Sequence, residues 1–107
     1  MTTLDFIRRI EQQQKEQDHI YHNTAVRYGL SDTDMWILYS VYTAPGTRNQ
    51  KKILLTDKGT ELAGNTVGHL IKAEERAYAA LTPEELQAYL DMTVRLTAAL
   101  REETEEL

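Results

Sequence analysis

Leu4, Phe6, Ile7 and Ile10 open the chain with apolar residues at three- and four-residue spacing, which marks one face of a helix. A polar stretch follows from Glu11 to His19, with four glutamines in the six positions from Gln12 to Gln17. The stripe resumes at Ile20, Tyr21, Ala25 and Tyr28, so a single long helix is expected from about Thr3 to Tyr28. Gly29 supplies the left-handed residue that commonly ends a helix.

Ser31 with Asp34 three residues later reads as the next helix start, the acid standing where a capping box usually has Glu. The helix it opens, Asp32 to about Thr43, carries Met35, Trp36, Ile37, Leu38, Tyr39, Val41 and Tyr42 around most of its circumference. That pattern predicts a central, largely buried helix, stopped by Pro45-Gly46. Ile53-Leu54-Leu55, three apolar residues between polar ones, suits a brief strand. Thr56 or Asp57 then caps a helix expected from about Asp57 to Ala80, with Leu62, Ala63, Val67, Leu70, Ile71 and Ala77/Tyr78 as its apolar positions. Gly59, Gly64 and Gly68 sit in its first half, each costing about 1 kcal/mol against alanine, which implies close backbone approach or flexibility. Thr82-Pro83-Glu84-Glu85 is the clearest local signal: Thr82 caps, Pro83 occupies the first turn, and Glu85 closes the box. The last helix presents Leu86, Tyr89, Leu90, Thr93/Val94, Leu96/Thr97 and Leu100 on one side and runs into the acidic tail from Arg101. The expected fold is mainly α.

Composition narrows the function classes. With 107 residues the chain fits one domain or a share of a dimer core. It has no cysteine, which excludes a disulfide framework and a thiolate zinc site and fits a reducing compartment. No apolar run nears the roughly 20 residues that span a bilayer. Met1-Thr2-Thr3-Leu4-Asp5 lacks the basic and apolar blocks of a signal peptide, so a cytoplasmic location is expected, with no membrane partner. The net charge is −5. Residues 1–50 hold five Lys/Arg against six Asp/Glu, and residues 51–107 hold seven against eleven, so the C-terminal helices are poor DNA-contact surfaces.

Three stretches together resemble the MarR (multiple antibiotic resistance regulator) family. Ile20-Tyr21-His22-Asn23-Thr24-Ala25-Val26-Arg27-Tyr28-Gly29-Leu30-Ser31 through Tyr39 is similar to the end of that family's first helix, its Gly-Leu-Ser/Thr turn and its second helix. Lys52-Ile53-Leu54-Leu55-Thr56-Asp57-Lys58-Gly59 resembles the last wing strand and the Leu-Thr-x-x-Gly entry to its long fifth helix. Leu81-Thr82-Pro83-Glu84-Glu85-Leu86 is similar to the turn before its final helix. The resemblance covers nearly the whole chain.

It implies long helices forming an intertwined dimerisation domain, with a remnant of a winged helix-turn-helix bearing one short wing strand. Residues 1–30 would be an N-terminal dimerisation helix, 31–55 the remnant, and 56–107 the C-terminal dimerisation helices. The family's recognition helix and basic wing, a block of roughly 40 residues, have no counterpart between Gln50 and Lys51. Two explanations present themselves. Either the working protein carries the block and the sequence joins residues across it, or the chain is a natural or engineered deletion. The first is preferred, because both flanks break where a reading head would begin. Bonded neighbours, with Cα atoms about 3.8 Å apart, would rule it out.

The likeness further implies a DNA-binding transcriptional regulator, a homodimer on a palindromic operator that responds to a small aromatic effector. Double-stranded DNA would be bound mainly through the missing segment, with Arg48, Lys51 and Lys52 placed for phosphate. An ordinary solvated loop explains those three cations equally well. His22, Trp36 and Tyr39, with Tyr21, Tyr28 and Tyr42 nearby, would face an effector pocket, or else belong simply to the core. Phe6, Ile7, Ile10, Tyr78, Leu86, Tyr89, Leu90 and Leu96 would be buried at the dimer seam. The rival reading is a helical dimerisation protein without DNA binding that modulates a full-length relative. His19 and His22 stand one helical turn apart like half a metal site, but no third ligand is near, and no metal or other cofactor is expected. No nucleophile–base pair or glycine-rich phosphate loop stands out, so catalysis is not expected.

Overall fold

A computed structural model describes residues 1–43 and 56–107. Five helices account for most of them: α1 (Thr3–Arg27), α2 (Asp32–Thr43), α3 (Asp57–Asn65), α4 (Val67–Tyr78) and α5 (Pro83–Thr104). The fold is mainly helical, and the described residues contain no strand. The strand expected at Ile53-Leu54-Leu55 lies outside the described residues, as do Arg48, Lys51 and Lys52. The chain falls into two compact units, Met1–Ile71 and Lys72–Leu107.

Local chemistry sets the helix ends. Thr2 caps α1 in a reciprocal box: its Oγ1 accepts from the Asp5 N–H at 3.1 Å, and Asp5 Oδ2 accepts from the Thr2 N–H at 2.9 Å. The bond from the Thr2 backbone N–H, and then the Thr2 side chain, hold the exposed Asp5 carboxyl below its ordinary value of 3.8. At the other end Gly29 adopts φ 71°, the region where a side chain would be strained. Leu30 N–H reaches the Ala25 carbonyl at 2.9 Å and Gly29 N–H the Val26 carbonyl at 3.0 Å. This is the paired bonding of a Schellman motif. Leu30 also packs on the buried cluster that contains Ala25, the apolar contact that usually accompanies such a turn. One residue later Ser31 Oγ accepts from the Asp34 N–H at 3.0 Å and starts α2. Two helices are thereby joined through a short, fixed corner.

The first unit has a small core of Ala25, Met35, Ala63, Val67 and Leu70, with Tyr21, Leu30, Leu38 and Tyr39 packed against it. α2 departs from the expectation of a largely buried helix. Met35 is its one buried residue, while Trp36, Ile37 and Tyr42 are exposed. α1 and α3 pack on it, and among the described residues they leave much of its circumference open. An apolar surface on every side states what a helix needs, not what is present to cover it.

A second correction concerns the helix expected to run unbroken from Asp57 to Ala80. It stops at Asn65 and restarts at Val67. Thr66 takes φ −123° and ψ −85°, outside helical values. Its hydroxyl donates to the Leu62 carbonyl at 2.7 Å, and its N–H turns to the Ala63 carbonyl at 3.3 Å. A threonine hydroxyl competing for the carbonyl four residues back is a known source of helix distortion. α3 begins as expected, with Thr56 Oγ1 accepting from the Gly59 N–H at 3.0 Å.

The second unit carries the Thr82 capping box as read from the sequence. Glu85 N–H donates to Thr82 Oγ1 at 3.1 Å and Thr82 N–H to Glu85 Oε1 at 2.8 Å, with Pro83 in the first turn. None of the 22 residues of α5 is buried.

The Gln50–Lys51 junction, where a block was expected to intervene, lies outside the described residues.

Candidate interaction surface

α1 presents two stretches of one face. At 3.6 residues per turn, Ile7, Ile10, Gln14, Gln17, Tyr21, Thr24 and Ala25 fall on the same side of the helix. Near the C-terminal end that side is covered: Thr24 and Ala25 are buried, and the Thr24 hydroxyl is returned to the Ile20 carbonyl at 2.9 Å. Toward the N-terminus Phe6, Ile7 and Ile10 stand about half exposed, together with Leu4. The helix is about 37 Å long, and among the described residues of its unit the buried cluster draws only on its last turns.

α5 makes the same point more strongly. Leu86, Tyr89, Leu90, Thr93, Val94, Leu96, Thr97 and Leu100 fall within an arc of about 160°. Gln87, Asp91, Arg95 and Glu102 take the other side, where Gln87 Nε2 donates to Asp91 Oδ1 at 2.9 Å. Leu86 is half-buried; Tyr89, Leu90, Val94, Leu96 and Leu100 are all more than 50 % exposed. Tyr78, at the end of α4, is likewise exposed. Apart from Tyr78, the residues expected at a dimer seam thus lie on apolar stripes of α1 and α5, each open to a large extent within its own unit.

The expected effector residues form a corner where α1 meets α2. The Tyr21 and Trp36 rings lie 5.2 Å apart at 45°, and Trp36 and Tyr39 lie 5.2 Å apart at 64°. These are tilted and edge-on geometries that aromatic pairs favour. Trp36 is 41 % exposed, and Tyr39 is half-buried against the core. His22 is engaged differently: its Nδ1 lies 3.0 and 3.1 Å from the two oxygens of Asp32. The pair joins the last part of α1 to the first residue of α2, and both side chains are about half exposed. Among the described residues no three His, Asp or Glu side chains gather as metal ligands. No described helix is long and apolar enough to cross a membrane.

Asp32 was not singled out from the sequence. Its signal was available: an acid in the first turn of a helix that follows a tight corner falls close to the end of the preceding helix. Tyr42 is the other residue whose setting only the structure gives. Its hydroxyl oxygen would lie 3.2 Å from a Cβ added at Gly68. Gly68 is therefore the expected site of close approach, between α2 and α4.

No family model matches the chain, and no curated protein and no solved structure matches it either.

Proposed function

We propose that this chain is a helical interaction protein that works as a homodimer and carries no DNA-reading element of its own. The observation that carries the proposal is α5, a capped 22-residue amphipathic helix without one buried residue. An isolated helix of this length draws little stability from propensity and depends on packing of its apolar face. A half-exposed large apolar side chain offers on the order of 100 Å². The open residues of the α5 stripe amount to roughly 600 Å² per chain, the lower end of what one partner of a standard interface buries. The net charge of −5 supports a protein partner over nucleic acid.

Such a module can pair with a copy of itself or with a longer relative that shares its helices. In a mixed pair only one of two reading heads would remain, and a palindromic operator would lose one of its half-site contacts. This makes the chain a modulator of MarR-type regulators, which the sequence resembles.

A second reading is a DNA-binding regulator of that type, responsive to a small aromatic effector. It is supported by the corner at Gly29–Ser31, placed where the resemblance implies it, and by the Tyr21–Trp36–Tyr39 rings beside His22. Its contacts with DNA would rest on Arg48, Lys51 and Lys52.

Fluorescence anisotropy with a labelled duplex separates the two. The interaction reading expects no binding at micromolar protein and 150 mM salt. Binding that weakens steeply as salt rises would establish the DNA-binding reading in its place.

A further inference from the structure

The α5 stripe reads nearly the same in both directions. About Thr93, the spacing Leu86-Leu90-Thr93-Leu96-Leu100 is four, three, three, four, with Tyr89 balanced by Thr97 and Met92 by Val94. We infer that a second copy of this chain docks on α5 through its own α5, antiparallel, with the two-fold axis at Thr93. The inference rests on the dimer reading above and adds the face and direction of pairing.

In this register Leu86 of one chain meets Leu100 of the other, Tyr89 meets Thr97, and Leu90 meets Leu96. The threonines at position 93 meet each other and allow the helices to approach closely at the crossing. Large residues thus face smaller or equal ones along the whole ~33 Å of the helix. A parallel pair would set every residue against its own copy, with Leu86, Tyr89 and Leu90 of both chains crowded at one end and Tyr89 facing Tyr89 rather than the smaller Thr97.

Charge points the same way. Glu102, Glu103, Glu105 and Glu106 follow the last leucine, and parallel pairing would bring the two acidic tails side by side. Antiparallel pairing sends them to opposite ends. Each then lies beside the partner helix's N-terminus, where Glu84 and Glu85 repel it but the positive end of the helix dipole attracts it. The open α5 residues supply roughly 600 Å² per chain, about 1,200 Å² in total, which reaches the lower bound of a stable specific interface.

The chain has no cysteine, so single spin labels can be placed at will. Glu84→Cys, Arg95→Cys and Glu102→Cys all lie on the polar side of α5 and leave the stripe intact. At 1.5 Å rise per residue, antiparallel pairing offsets the two labels along the axis by about 27 Å at positions 84 and 102 and about 6 Å at 95. Electron–electron distance measurements on each full-length variant, with its mass checked by sedimentation, should give a short distance at 95. Those at 84 and 102 should be longer by about 10–15 Å and similar to each other. A dimer with equal distances, or with distances rising steadily from one end to the other, overturns the antiparallel register and leaves the dimer reading standing. A dimer whose α5 labels are all beyond measurable range shows that another face pairs and also overturns it. A monomer overturns the dimer reading itself.

Discussion

Replacing Met35 by alanine perturbs the centre of the first unit. Among the described residues Met35 and Val67 are the largest fully buried side chains, and the cluster around them has few other described members. The substitution removes three heavy atoms, worth about 2.4 kcal/mol of transfer free energy at ~0.8 kcal/mol per methylene-sized group. A cavity term adds to this where the surroundings cannot collapse, for a total of about 3 kcal/mol within the 2–5 typical of such changes. A unit of this size is expected to be stable by only about 4–10 kcal/mol, so the loss is a large fraction of the whole. Trp36 is the single tryptophan, it neighbours Met35, and it packs 5.2 Å from both Tyr21 and Tyr39. Its fluorescence therefore reports on this unit. Urea titration followed at Trp36 should show the midpoint of Met35→Ala well below that of the wild type, with a similar slope. A loss under about 1 kcal/mol would refute the reasoning, since a site that matters this little is not the packed centre of a core.

Other outcomes follow from single observations. Gly29→Ala should destabilise by about 1 kcal/mol, because φ 71° strains any side chain there; thermal melts measure it. Gly68→Ala gains up to about 1 kcal/mol of helix propensity but meets the Tyr42 hydroxyl oxygen at 3.2 Å. The gain should therefore be larger in a Tyr42→Phe background, a difference that a double-mutant cycle reads directly. Thr82→Ala removes the α5 cap and should cost about 1 kcal/mol, seen as a lower melting temperature by circular dichroism. Asp5 should titrate below 3.8 by carboxyl-carbon NMR, and Thr2→Ala should return it toward that value. Its folded value is the depressed one, so its contribution to stability is present above the ordinary value and is lost as pH falls through the folded one.

What the sequence made legible was mostly chemistry between near neighbours. The Thr82 box, the Thr56 cap, the Ser31 start and the Gly29 stop each depend on residues within about five positions, and each forms as expected. The Thr2–Asp5 box follows the same rule, Asp5 standing to Thr2 as Asp34 stands to Ser31. Two features were not legible, for different reasons. The Thr66 break has no distinctive local signal, since Thr24 makes the same hydroxyl bond to the carbonyl four residues back within an unbroken helix. α2 reads as buried because its residues are apolar, while burial depends on what surrounds it. The aromatic corner stands between these cases. Trp36 and Tyr39 could be singled out by type and do come together, but the Asp32 partner of His22 emerges only once the corner is closed.

The central claim is that the open stripes of α1 and α5 are covered by a second copy of the chain. Sedimentation equilibrium of the full chain at about 1–50 μM, a range at or above the dissociation constants of standard interfaces, tests it most directly. The account expects a species of twice the 12.3 kDa chain mass, reduced to the chain mass when Leu90→Lys and Leu96→Lys are combined. A wild-type protein that stays at 12.3 kDa throughout, with α5 helical, would contradict it.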